Sequence, residues 1–157
     1  MSYQIGFIGA GNMGGSLARA ACKGLDPKQV LLTDYNGSVA QNLASQLGCD
    51  TAESNEQIVR QCKFIMLGVK PHILPGVLQQ IAPALAQELA KGEEKILVSM
   101  AAGVTMATIQ SYLGEAAKVP LLRIMPNTPA AVGKGMMVVH TENCPAALAD
   151  EFERIMA

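Results

Sequence analysis

The sequence predicts an α/β fold: a doubly wound, mostly parallel sheet with helices on both faces. Three observations predict it. Short apolar runs recur along the chain, stretches of helical period separate them, and a glycine-rich turn joins the first run to the first helix. Runs that are apolar throughout, not at alternate positions, read as strands buried on both faces. Strands of that kind alternating with helices build a parallel sheet covered on both sides. The 157 residues, 50% of them hydrophobic, suit one domain, residues 1–157, on the usual prior of roughly 100–200 residues.

Taken in order, Ile5 to Ile8 is the first strand, and the turn "GAGNMGG" leads into a helix whose inner side is small: Gly15, Ala18 and Ala21. Val30 to Leu32 is the second strand and ends "LLTDYN". In "SVAQNLASQLG", Ser38 and Gln41 have the spacing of a capping box, Val39, Leu43 and Leu47 recur every four residues, and Gly48 can close the helix. Ser54 and Gln57 repeat the start signal. Phe64 to Leu67 is the next strand. The longest helical stretch runs from Leu74 to Ala90, with Pro75 tolerable in its first turn and Pro83 expected to kink or split it. Further strands are Ile96 to Val98, Leu121 to Met125 and Met136 to Val139. In "PAALADEFERIMA", Pro145 suits a helix start, and Leu148, Phe152 and Ile155 form an apolar stripe. No capping glycine follows, so the expectation is a piece of a longer protein.

A net charge of −1 argues against a nucleic-acid partner. No basic stretch followed by a long apolar core opens the chain, which points away from a membrane and towards the cytoplasm. Cys22, Cys49, Cys62 and Cys144 form no C-x-x-C pair and read as reduced, mostly buried thiols, with no metal site expected.

Gly9, Gly11 and Gly14 complete G-x-G-x-x-G between a strand and a helix, the context in which that motif binds a dinucleotide in a Rossmann-like fold. The first glycine permits the tight turn, the second lets a pyrophosphate approach the backbone, and the third brings helix and strand together. The amides of the turn and the helix dipole then face the phosphates. Asp34 lies twenty residues past Gly14, where an acid bonds the adenosine ribose. Its carboxylate accepts from a free hydroxyl and repels a 2′-phosphate, and no Arg or Lys lies between Thr33 and Asn55. That argues for NAD(H), although Asn36, Ser38 or Asn55 could hydrogen-bond the phosphate of NADP(H).

Three further stretches, "GVKPHILPGVL", "VSMAAGVT" and "RIMPNTPAAVGKGM", each follow a predicted strand and belong at the carboxyl edge of the sheet, where ligands bind in such folds. Together they resemble the amino-terminal domain of the pyrroline-5-carboxylate reductase family, over nearly the whole chain. The resemblance implies proline biosynthesis: a nicotinamide cofactor, in the family more often NADPH than NADH, reduces the carbon–nitrogen double bond of 1-pyrroline-5-carboxylate to give L-proline. It implies cofactor contacts from Phe7, Ile8, Gly9, Ala10, Gly11 and Asn12, with Met13 and Gly14 completing the turn. It adds Asn55 near the adenosine ribose, then Gly68, Val69, Lys70 and Pro71, and then Met100, Ala101 and Ala102. Asp34 departs from members that keep small hydroxyl residues at that place. The family holds its substrate carboxylate mainly in a small-residue loop of a carboxyl-terminal helical domain, which also builds the dimer. No "SGSGPA"-like stretch occurs here. The expectation is therefore that this chain binds cofactor without turnover, supplies no catalytic residue, and forms a homo-oligomer through the missing domain.

The chemistry is compatible, because imine reduction asks for orientation and a proton on nitrogen more than for a nucleophile. Several side chains keep two readings. Lys70 could attract pyrophosphate, or Pro71 could make the segment matter for its backbone shape. His72 could be an acid or a solvent-facing loop residue. Asn127, between Pro126 and Thr128-Pro129, could line the nicotinamide pocket or sit in a proline-stiffened turn. Arg123 pairs with an acid at the sheet edge or meets ligand. Ser99 lacks a G-x-S-x-G setting and reads as strand packing; the nine methionines read as core filler. Two rival functions remain, a hydroxyacid dehydrogenase of the related glycine-loop type and a non-catalytic nucleotide-sensing module.

Overall fold

The computed structural model describes residues 3–101, 103–126 and 136–156. Among them, the apolar runs become β1 (Tyr3–Ile8), β2 (Val30–Thr33), β3 (Asp50–Thr51), β4 (Cys62–Leu67), β5 (Ile96–Ser99), β6 (Leu121–Pro126) and β7 (Met136–Glu142), in one sheet ordered β3-β2-β1-β4-β5-β6-β7. The pairs from β3 to β6 are parallel, and β7 alone runs antiparallel, against β6. The chain works outward from β1 through β2 to β3 and then crosses back to β4. The β1/β4 seam is thus the point where strand order reverses, the place where open α/β sheets take ligands. β3 is too short and too polar to have been legible as a strand; it pairs over Leu31↔Asp50 and Leu32↔Thr51 alone.

The helices are α1 (Asn12–Gly24), α2 (Gly37–Leu47), α3 (Asn55–Gln61), α4 (Leu74–Ala90), α5 (Met106–Leu113) and α6 (Ala146–Met156). Successive strand residues point to opposite faces, so Phe64 and Met66 join one core while Ile65 and Leu67 join the other. On the first face they meet Leu17 and Ala21 of α1, Leu43 of α2, and Phe152 and Ile155 of α6. The rings of Phe64 and Phe152 lie 5.5 Å apart. On the second face Ile58, Ile81, Leu85 and Ile109 bring in α3, α4 and α5. Two cores explain why the strands are apolar without alternation.

Two expectations about helix ends need correction. Ser38 is not the cap of α2: the helix starts at Gly37, and the Asn36 side chain accepts from the Ser38 N–H at 3.2 Å. Asn is at least as good a cap as Ser, and the Asn36 backbone is already held extended by a bond from its N–H to Asp34. Pro83 does not split α4, which runs unbroken. Pro83 and Gln79 are exposed, so the carbonyl left without a partner by the proline ring faces water. Ser54 does cap α3, accepting from Gln57 N–H at 3.1 Å, while the Gln57 side chain reaches one residue further back, to Glu53 N–H. α5, capped by Thr105, is too short to have stood out by periodicity.

Cys49 and Cys62 are buried, Cys22 and Cys144 half-buried, and none is in a disulfide. Among the described residues no helix is long and apolar enough to cross a membrane, and no group of three or more His, Cys, Asp or Glu could hold a metal ion.

Candidate functional site

The ends of four adjacent strands are level: Ile8 lies opposite Thr33 and Leu67, and Leu67 opposite Ser99. The segments that follow them therefore share one rim of the sheet. Gly9 N–H donates to the Thr33 carbonyl at 2.9 Å, and Gly68 N–H to the Ile8 carbonyl at 2.7 Å, which stitches the rim together across β2, β1 and β4.

Three glycines are demanded by packing at this seam. Gly9 has φ +99°, and a Cβ on it would stand 2.6 Å from the Gly68 carbonyl oxygen. A Cβ on Gly14 would run into the Gly9 carbonyl oxygen, and one on Gly68 would stand 2.8 Å from that same atom. These three residues let the end of β1, the start of α1 and the end of β4 touch through bare backbone. Gly68 lies outside the G-x-G-x-x-G motif and joins it through space.

Gly11 is different. Its φ of −75° and ψ of −155° suit any residue, and a Cβ there would meet nothing within 4 Å. Neither conformation nor packing asks for glycine, so the open space above it is the feature that a side chain would fill. Gly11 also stands as the N-cap of α1 with no side-chain hydrogen bond, and the first turn carries no acid. The first N–H groups of a helix have no partner within it and lie at the positive end of its dipole. Bared amides over a floor without a Cβ fit a diphosphate.

Asp34 does more than the spacing suggested. One carboxylate oxygen accepts from Ala10 N–H at 2.8 Å and the other from Asn36 N–H at 3.0 Å. It thus braces the glycine turn from the end of β2, and each oxygen keeps a lone pair for another donor. Asn36 is occupied in capping α2. Asn55 donates to Gln80 on α4 at 2.8 Å, so its NH2 group ties α3 to α4.

The other sequence-assigned residues sort by burial. Phe7, Ile8, Ala10, Met100 and Ala101 are buried, which leaves their backbone as what they offer at the rim. Val69 is half-buried, and Lys70, Pro71 and His72 are exposed in the turn before α4. The Lys70 carbonyl accepts from Ile73 and Leu74 N–H at 2.9 and 3.2 Å, which shapes the backbone entering α4. Asn12 and Met13 open α1, and their backbone alone is described. Ala102 and Asn127 lie outside the described residues. Ser99 is buried and its hydroxyl accepts from Ala101 N–H at 3.3 Å, as strand packing requires. Arg123, opposite Ser99 and next to an irregularity in the β6–β7 pairing, is half-buried and makes no ion pair among the described residues.

Comparison with known proteins returns one family and consistent relatives. The family described as NADP oxidoreductase coenzyme F420-dependent matches residues 4–103. Pyrroline-5-carboxylate reductase 3 of Xenopus laevis is 34% identical over 159 aligned residues, which cover 99% of this chain and 55% of that protein. A pyrroline-5-carboxylate reductase structure from Coxiella burnetii superposes with a TM-score of 0.77 at 25% identity, over 99% of this chain and 57% of that one. A Plasmodium falciparum pyrroline carboxylate reductase with NADP bound has the same fold, with a TM-score of 0.74 at 24% identity over 98% of this chain and 54% of that one. The chain spans about half the length of the curated relatives it matches.

Proposed function

The chain belongs to the family described as NADP oxidoreductase coenzyme F420-dependent, and from that membership we propose that it is the cofactor-holding domain of a cytoplasmic pyrroline-5-carboxylate reductase. When bound, the nicotinamide supplies the hydride that reduces the carbon–nitrogen double bond of 1-pyrroline-5-carboxylate to L-proline. The observation that carries this reading is the open space at Gly11, where α1 begins with no side-chain cap and no acid in its first turn.

In this reading each residue has a defined task. Gly9, Gly14 and Gly68 set the seam, and the amides from Ala10 to Gly14 hold the diphosphate. Asp34 braces the turn and accepts from the adenosine ribose. Gly68 to Pro71, with Met100, Ala101, Ala102 and Asn127, are assigned to the nicotinamide end; of these Met100 and Ala101 are buried and offer their backbone to orient the ring. Relatives of about twice the length support a second half that holds the substrate carboxylate and joins the copies. The NADP in the Plasmodium falciparum relative supports a nicotinamide dinucleotide as the cofactor class. The charge of Asp34 beside the ribose favours NADH over NADPH.

The test is to mix the full-length protein with 1-pyrroline-5-carboxylate and NADH or NADPH and to follow the absorbance of the reduced cofactor. Oxidation that requires the imine, with NADH preferred at low concentration, is the expected result. No oxidation above background with either cofactor overturns the reductase.

A further inference from the structure

We propose that Tyr35 is the platform on which the adenine base of the nucleotide stacks, a role the glycine motif does not assign. The proposal rests on the reading of the rim as a dinucleotide site. Tyr35 is 101% exposed, against 45% for Ile73 and 52% for Met125, so its ring touches nothing in the protein. Yet the backbone that carries it is tied on both sides. Asp34 bonds back to Ala10 N–H and forward across Tyr35 to Asn36 N–H, and Asn36 in turn takes Ser38 N–H. An aspartate bonded to the N–H two residues on makes a tight turn with the middle residue at its apex. The ring is therefore held out in water on a fixed backbone, which exposes apolar area with no compensating contact.

The order of groups along a dinucleotide says what would meet it. With the diphosphate over Gly11 and the adenosine ribose at Asp34, the base is the group beyond the ribose, and Tyr35 is the exposed residue that follows Asp34. A phenol face offers stacking to any purine, with no readout of its edge. It also gives the adenine end a contact that is independent of the 2′ position, so it strengthens NADH and NADPH alike and leaves discrimination to Asp34.

The experiment titrates the full-length protein and its Tyr35→Ala, Tyr35→Phe and Tyr35→Trp variants with ADP-ribose and with NADH. Loss of a stacked base weakens both ligands about tenfold in Tyr35→Ala, while Tyr35→Phe and Tyr35→Trp bind as the parent does. Thermal melting of the unliganded variants stays level, since the ring has no packing to lose. Unchanged affinity in Tyr35→Ala overturns the platform, as does an equal loss in Tyr35→Phe, which would place the contact at the hydroxyl. Failure of the unsubstituted protein to bind ADP-ribose or NADH would instead strike the dinucleotide reading itself, so the two failures are distinguishable.

Discussion

Glycines that look alike in the sequence do different work. Gly14 is needed for contact with Gly9, whereas Gly11 is needed by nothing in the folded chain. Replacing Gly11 with Val is therefore expected to abolish nucleotide binding in a calorimetric titration and leave the melting temperature within about a degree or two, as for other surface changes. Gly14→Ala, in contrast, forces α1 off β1 and lowers the melting temperature. Equal effects of the two on stability would refute the distinction. Asp34 has a double task, so Asp34→Ser should raise the ratio of NADPH to NADH affinity by removing the charge and also weaken both ligands by loosening Ala10. An unchanged ratio would show that the carboxylate does not face the ribose. The motif made the three glycines and Asp34 legible, because spacing along one turn is a local property. The bond from Ala10 to Asp34 was not legible, since it joins residues 24 apart through the pairing of two strands.

At the scale of elements, the strands were readable because burial on both faces leaves an unbroken apolar signature, and helices were readable where they were long. Their ends were less so. Two cap-capable residues, Asn36 and Ser38, stand close together before α2, and the bond from Asn36 N–H to Asp34 decides between them. Asn36→Ala should therefore cost about 1 kcal/mol in a denaturant titration, with Ser38→Ala costing clearly less. A reversed order would restore Ser38 as the cap. β3 and α5 escaped notice because two polar residues and eight mixed ones carry too little periodicity to separate from loop.

The whole molecule shows its character at the sheet edge opposite the site, where β4 and β5 begin. Lys95 is buried there and donates to the carbonyls of Cys62 and Arg60 at 2.8 and 3.1 Å, with Glu88 at 3.9 Å; burial holds its ammonium below the ordinary lysine value. Burial also pushes the thiols of Cys62 and Cys49 from 9.0 to about 12. Between those values the unfolded chain releases both thiol protons and the folded chain keeps them, so stability falls as pH rises through that window and is undiminished below it. Lys95 acts in the opposite sense, because below its unfolded value the unfolded chain holds more protons, and it softens the decline. Replacing Cys62 with Ala should flatten the fall in denaturation midpoint above about pH 9, whatever it does to stability at neutral pH; a slope identical to the parent's would contradict the linkage. The sequence by itself determined the α/β class, every strand segment but β3, and the glycine turn between β1 and α1, since apolar continuity and glycine spacing are written in neighbouring residues. The strand order, the approach of Gly68 to Gly9 and Gly14, the brace from Asp34 to Ala10 and the engagement of Asn55 with Gln80 were decided by tertiary structure alone. Each depends on which distant segments come to lie side by side, and that is settled by packing two cores at once.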